Sequence, residues 1–244
     1  MNKLHVLELN FEFNGNKETI YPVLLTDNKE MVLIDCGYPN FLVLIEECAA
    51  KNNIDINSLT KIIITHHDFD HMGALGEFKR KYPHIKVMAA KEEVPYIEGK
   101  KKSLRLQQAE ALYESLPDEE KPQAEIFHKT LEAVENCKVD VALNHGDFLD
   151  IAGGIEVVAT PGHMPGHISL YHKQSKSMIV GDALVLEKDE LAIALPKYTL
   201  NIKEALRSVE KLLNYEIDRI ICYHGGVYTK DIKRALKDII ADLD

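Results

Sequence analysis

Short apolar runs broken by polar turns dominate the first 65 residues. Leu4–Leu9, Tyr21–Thr26 and Met31–Asp35 read as strands, and Asp27-Asn28 between the last two reads as a hairpin turn. From Phe41 to Lys51 the apolar residues recur at helical spacing. Lys61–Thr65 is β-branched and too short for a helix, so a buried strand is expected there. A helix over Met72–Lys81 and a strand over Ile85–Ala89 follow.

Between Lys91 and Cys137 the pattern turns polar and helix-forming. Leu106, Ala109, Tyr113 and Leu116 share one helical stripe, and Ala124, Phe127, Leu131 and Val134 share another. Pro122 suits a helix start and Pro117-Asp118 separates the two. Two helices are expected, forming a 91–137 insertion within a single domain spanning 1–244. Their stripes must be buried somewhere: over a pocket as a lid, or against a second copy in a homodimer.

Strands return in the second half over Val139–Asp150 (with a turn near His145-Gly146), Ile155–Ala159, Ile168–His172 and Ser177–Val180. Asn201 and Glu204 form a capping box for a helix reaching Leu213. Arg219–Cys222 reads as a strand. Thr229 opens a last helix with Ile232, Ala235, Leu236, Ile239 and Ile240 inward.

Charge narrows the range of partners. The net charge of −10 argues against a phosphate-binding surface, so no nucleic-acid partner is expected. The one dense basic run, Lys100–Lys102 with Arg105, reads as a solvated helix face. Cys36, Cys48, Cys137 and Cys222 show no paired spacing, and a disulfide framework is not expected. No stretch has transmembrane length and the N-terminus lacks an h-region, so no membrane partner and a cytoplasmic location are expected.

The candidate chemistry gathers at strand ends. His66, Asp68, Asp70 and His71 fall within six residues directly after the Lys61–Thr65 run. A rigid strand end followed by a loop can turn several side chains toward one point. Imidazole and carboxylate together suit a borderline or hard divalent ion. The plainer alternative is a polar loop in which Asp70 caps the next helix. Three further strand ends weaken that alternative: Thr160-Pro161-Gly162-His163, Gly181-Asp182 and His224-Gly225.

In that order, His66-x-Asp68-x-Asp70-His71, TPGH at 160–163, GD at 181–182 and HG at 224–225 resemble the signature of the metallo-β-lactamase superfamily, on its lactonase and glyoxalase II side. Val32–Gly37 is similar to the family's first motif. The resemblance implies an α/β fold, a four-layer αββα sandwich with metals at one edge. It implies two divalent ions, zinc first, with iron or manganese as alternatives. His66, Asp68 and His163 would hold one ion and Asp70, His71 and His224 the other, with Asp182 and a hydroxide bridging them. It departs from the family at Asp68, where a second histidine is usual. Three carboxylates would then make the cluster less positive, and activity should rise toward higher pH.

The activity so implied is a metal-dependent hydrolase that uses a metal-bridging hydroxide on a small-molecule ester, lactone or thioester. Asp70 or Asp182 would hold the hydroxide and pass a proton to the leaving group. Two other readings stay open: an iron-dependent, oxygen-using protein similar to flavodiiron proteins, and a non-catalytic metal-binding module. Asp35 is expected to orient a loop and His167 to support the TPGH loop. His67 should face away from His66, and His5, His84, His128, His145 and His172 read as isolated. Lys197, Tyr198 and Tyr223 are candidates for the pocket wall.

Overall fold

Strands apolar on both faces need cover on both sides, and that requirement shapes the whole chain. The computed structural model describes residues 2–13 and 15–241. It opens with β1 (Lys3–Val6), the hairpin of β2 (Leu9–Phe13) and β3 (Asn16–Ile20), then β4 (Val23–Thr26) and β5 (Met31–Ile34). Helix α1 (Leu42–Lys51) leads to β6 (Lys61–Ile64), the short α2 (Phe69–Met72), α3 (Leu75–Lys81) and β7 (Lys86–Ala90). Helices α4 (Val94–Ile97), α5 (Leu104–Tyr113) and α6 (Lys121–Glu132) precede β8 (Val141–Leu143) and β9 (Phe148–Leu149). Next come β10 (Ile155–Ala159), β11 (Ile168–His172), β12 (Ser177–Gly181) and a hairpin of β13 (Val185–Glu187) and β14 (Glu190–Ala192). The described residues close with α7 (Ile202–Leu212), β15 (Arg219–Cys222), β16 (Gly226–Tyr228) and α8 (Ile232–Ala241).

Two six-stranded sheets result, in the orders β1-β4-β5-β6-β7-β8 and β16-β15-β12-β11-β10-β9. Alternation along the strands sorts the core into three layers. Val23, Val32, Ile34, Ile63 and Met88 of the first sheet meet Val157, Leu170, Ile179 and Ile221 of the second between the sheets. The opposite faces, such as Leu33, Ile62, Ile64 and Val87, pack under Ile45, Leu75 and Phe78 of α1 and α3. Met178, Val180 and Ile220 pack under Leu206, Val209 and Leu236 of α7 and α8. The architecture is an αββα sandwich.

Several boundaries differ from the sequence reading, each for a local reason. The run Leu4–Leu9 is interrupted, because β1 pairs with β4 only as far as Val6 and the chain then leaves for the β2–β3 hairpin. The helix expected over Met72–Lys81 is split. The His71 carbonyl accepts the Cys36 N–H at 2.7 Å instead of continuing a helix. Gly73 also packs so closely on Pro39 that a Cβ would lie 2.3 Å from its nitrogen. The turn at His145-Gly146 carries the chain from one sheet to the other, since β8 pairs with β7 and β9 with β10. Helix α8 begins at Ile232, not Thr229, because Gly226–Tyr228 first pair with β15 and Asp231 then accepts Arg234 N–H. Asn201 caps α7 as expected, accepting from Glu204 N. All four cysteines are buried free thiols. Among the described residues no helix is long and apolar enough to cross a membrane.

Candidate metal centre

The first strand end to build is that of β6. Thr65 continues it, and its N–H and hydroxyl both donate to Asp35, at 2.8 Å each. Asp35 itself takes a left-handed φ of 58°, which turns its carboxylate back beneath the β6 end. The same carboxylate accepts from His71 Nδ1 at 2.8 Å, which fixes that ring with Nε2 facing inward. His66 Nδ1 meets Thr65 Oγ1 at 3.1 Å, so its Nε2 also faces inward. Asp35 therefore orients side chains as well as backbone.

His163 follows β10, Asp182 follows β12 and His224 follows β15, and these three strand ends meet the β6 end at one edge between the sheets. The sheets are tied there by Ile168 N to Thr65 O (3.1 Å) and by Tyr21 N to Tyr223 O (2.9 Å). His167 supports the edge without entering it. Its Nε2 accepts the Asp182 N–H at 3.0 Å and its Nδ1 meets Thr160 Oγ1 at 2.9 Å. Both ring nitrogens are thereby used, and burial pushes its pKa down to about 3.

Seven predicted donors converge. Around one point lie His71 Nε2 and Asp182 Oδ1 (3.2 Å), His224 Nε2 and Asp70 Oδ2 (3.1 Å), with cross-distances of 3.6 Å for His71 to Asp70 and for His224 to Asp182. Around a second lie His163 Nε2 and Asp68 Oδ2 (3.1 Å), His66 Nε2 and Asp68 Oδ2 (3.5 Å), and His163 Nε2 and Asp182 Oδ2 (3.6 Å). A tetrahedral ion with bonds of about 2.0–2.1 Å sets its ligand atoms about 3.3 Å apart. Both groups match that spacing, and Asp182 turns one oxygen to each. The buried atoms His66 Nε2, His71 Nε2 and Asp182 Oδ1 have no hydrogen-bond partner. Unpartnered buried polar atoms are costly, so three aimed into one place fit a cation. The triads His66–Asp68–His163, His66–His71–Asp182 and Asp70–His71–His224 can each hold one.

Charge separates the two halves. Burial alone would lower His71, yet Asp182, Asp70 and Asp35 around it raise its pKa well above the usual histidine range. His224 is raised too, against its burial, by Asp182 and Asp70. His66 moves the other way, held well below the usual range by burial and by His71.

A match to the metallo-beta-lactamase superfamily model covers residues 17–224. The chain belongs to that superfamily. A probable metallo-hydrolase of Bacillus subtilis, YflN, is 28% identical over 219 residues, 83% of this chain and 78% of the relative. A hydroxyacylglutathione hydrolase of Ectopseudomonas mendocina is 26% identical over 128 residues, 52% of this chain and 34% of its own. In fold, the crystal structure of the metallo-beta-lactamase family protein TTHA1429 of Thermus thermophilus aligns with a TM-score of 0.76 at 24% identity, covering 98% of this chain and 79% of that one. Superfamily membership and the clustered donors together make this a metal-binding hydrolase scaffold.

The superfamily frame leaves two features of this chain that sequence reading missed. Arg105 is not on a solvated face: it is only 4% exposed and its Nη2 lies 2.6 Å from Asp68 Oδ2. Helix α5 carries it inward while Lys100–Lys102 stay outside. Burial alone would push the Asp68 carboxyl up, yet the Arg105 charge, the bond from His163 and the nearby His66 ring hold it well below the usual range. Glu93, fully buried before α4, is the second feature. It accepts from His67 N (2.8 Å), His67 Nδ1 and Gly166 N (3.0 Å), joining both histidine loops. His67 faces away from His66, stacked on Tyr96 with centroids 4.4 Å apart. Only the excess of polar residues in 91–137 hinted that some of them work inward.

The remaining candidates settle simply. Asp70 lies inside α2 and does not cap it, because Asp68 holds the cap position. Tyr223 is buried, with its hydroxyl donating to Asp70 O at 2.6 Å and its ring 4.0 Å from that of His71. Tyr198 is partly exposed and Lys197 lies over its ring at 4.6 Å. His172 bonds Ala152 O at 2.6 Å, far along β11 from the cluster. His84 bonds Leu59 O, and His145 lies against Val157 O.

Proposed function

We propose that the protein is a two-metal hydrolase, with zinc as its ions, acting on a small carboxylic ester, lactone or thioester. The observation that carries this is the pair of tetrahedrally spaced donor groups sharing Asp182. Two divalent ions held there would polarise an acyl carbonyl and acidify a water enough for attack near neutral pH. The chain's own residues do the rest. Asp70, with its backbone pinned by Tyr223, is placed to take up the water's proton and return it to the leaving group. Asp35 and Thr65 hold the His66 and His71 rings, so little reorganisation is needed as charge develops.

Three observations support the substrate class. Relatives named as hydroxyacylglutathione hydrolases point to acyl transfer to water. Leu195, Tyr198 and Leu200 form an exposed apolar rim beside the site, where Leu200 N bonds His163 O and Asn201 N bonds Gly162 O. That rim suits an acyl chain, whereas the net charge of −10 disfavours a large polyanion. The test is metal analysis of the purified protein, followed by turnover on a panel of esters, lactones and thioesters before and after chelation. Chelator-sensitive turnover of one class, restored by zinc, is expected. Turnover that survives full metal removal would overturn the reading.

A further inference from the structure

The Arg105 guanidinium is fixed by four acceptor atoms on three residues. Nη2 bonds Asp68 Oδ2 at 2.6 Å and Tyr198 O at 2.9 Å, Nη1 bonds Gln108 Oε1 at 2.6 Å, and Nε lies 3.3 Å from each Asp68 oxygen. The same Nη2 stands 3.4 Å from His163 Nε2. It therefore shares the Asp68 oxygen that faces His66 and His163, inside one of the two donor groups. A guanidinium carries its charge at every working pH. Among the described residues no ion pair joins Asp70 or Asp182 to a lysine or arginine, so no guanidinium or ammonium lies in direct contact with the other donor group.

We infer that Asp68 and Arg105 act as one neutral unit, and that Arg105 makes the His66–Asp68–His163 group the weaker of the two cation sites. The inference rests on the metal-dependent reading above and adds an order of filling to it. Three carboxylates contribute −3 against +4 from two divalent ions, and Arg105 adds +1 in direct contact with one carboxylate. The unit is then equivalent in charge to a neutral donor at position 68. With position 68 counted as neutral, Asp68 would cause no shift of activity to higher pH. Like charges a few ångströms apart inside a protein repel strongly, so a cation entering this group meets a cost that the Asp70–His71–His224 group does not impose. Arg105 is a positioning residue for Asp68 and a brake on the ion that Asp68 would hold.

Titration of the full chain with Co²⁺, read by visible absorption, tests this on four proteins: the parent, Arg105→Gln, Asp68→His and the double variant. The parent should take up two ions in steps separated by about tenfold or more in affinity. Arg105→Gln keeps a hydrogen-bond donor and loses the charge. It should tighten the weaker step by about tenfold or more and leave the stronger step unchanged. Asp68→His leaves the guanidinium buried without its carboxylate, so the weaker step should disappear. The double variant should restore it, while the stronger step reports that each protein is folded. A purely orienting role for Arg105 predicts the opposite sign: Arg105→Gln would weaken the step, and that result overturns the inference. A double variant no better than Asp68→His also overturns it. A parent that takes up no Co²⁺ would overturn the metal-hydrolase reading together with this one.

Discussion

Every donor of the cluster reaches its place from the end of a buried strand or the segment that follows it. Helices α5 and α6, by contrast, stand largely in solvent, with Leu112 and Ile126 54% and 56% exposed. Yet the two regions are joined at their root. Arg105 bonds Asp68, Leu104 N donates to His67 Nε2, Gln108 bonds Lys197 O and Glu93 bonds both loops. Phe69 also meets Phe127 of α6, with centroids 5.7 Å apart. The helical pair is thus anchored through charge and hydrogen bonds at one end and left free at the other. Sensitivity to substitution should be steep in the cluster, intermediate at the root and shallow at the tip.

The largest effects belong to the donors. His163→Ala and His224→Ala should each lose about one of two ions, with activity falling by more than the roughly 10- to 100-fold seen when a ligand's supporting partner is lost. His172→Ala should lose none, since both of its ring nitrogens bond elsewhere. Elemental analysis of the three purified variants decides it. Equal metal content in all three would remove the contrast between cluster and scaffold.

Glu93 tests the root. Replacing it with alanine leaves three buried donors, His67 N, His67 Nδ1 and Gly166 N, without their acceptor. A loss of about 3 kcal/mol is expected from breaking such a buried set, read by denaturant unfolding of the metal-free chain. Metal affinity should weaken in the His66–Asp68–His163 group, because His67 adjoins His66 and Gly166 lies in the loop that presents His163. A stable variant with unchanged affinity would show the root to be decorative.

Next in size is a pH effect from His167, which serves the cluster without joining it. Its folded pKa, about 3, is below the ordinary 6.5, so the unfolded chain binds the extra proton first. Its contribution is full above pH 6.5 and is lost as pH falls toward about 3. Between pH 6.5 and about pH 5 this removes about 2 kcal/mol. His167→Gln, which titrates nowhere in that window, should flatten the stability–pH curve of the metal-free chain. Parallel curves for the two proteins would show that His167 takes up its proton without cost.

The contrast between regions also explains what the sequence could reveal. The donors were legible because few residue types bind metal, and His66, Asp68, Asp70, His71, His163, Asp182 and His224 all follow apolar runs. The two sheets were legible because Ile, Val and Leu buried on both faces leave continuous runs, as in Lys61–Ile64. Hairpins such as β2–β3 and β13–β14 were not, since Asn16–Ile20 and Glu190–Ala192 pair with one neighbour and carry polar residues. Arg105 was hidden for a different reason. A basic residue beside Lys100–Lys102 looks solvated unless its partner, 37 residues earlier in the chain, is known. Long-range charge pairing leaves no periodic trace.

The smallest expected effect is at the tip of the helical pair, where it separates two fates for the exposed apolar residues. Ile126 is 56% exposed on α6, on the side away from the stripe of Phe127 and Leu131 that packs inward. If the tip is free in solution, Ile126→Ser changes stability by no more than about 0.5 kcal/mol, as for other surface positions. It should also leave the sedimentation coefficient unchanged. If a second copy of the chain covers this face, the same substitution uncovers a polar hydroxyl in an apolar contact. The melting temperature would then become more dependent on protein concentration, because dissociation is linked to unfolding by mass action. The tip's charge favours the first outcome. Glu125 and Lys129 adjoin Ile126 on α6, Lys121 and Glu132 lie further along that helix, and Glu110 and Glu114 lie on and beside α5. Burying that many charges against a second copy would require a matched partner for each. Sedimentation velocity at two protein concentrations distinguishes the outcomes, and a concentration-dependent shift abolished by Ile126→Ser would place the tip in an interface.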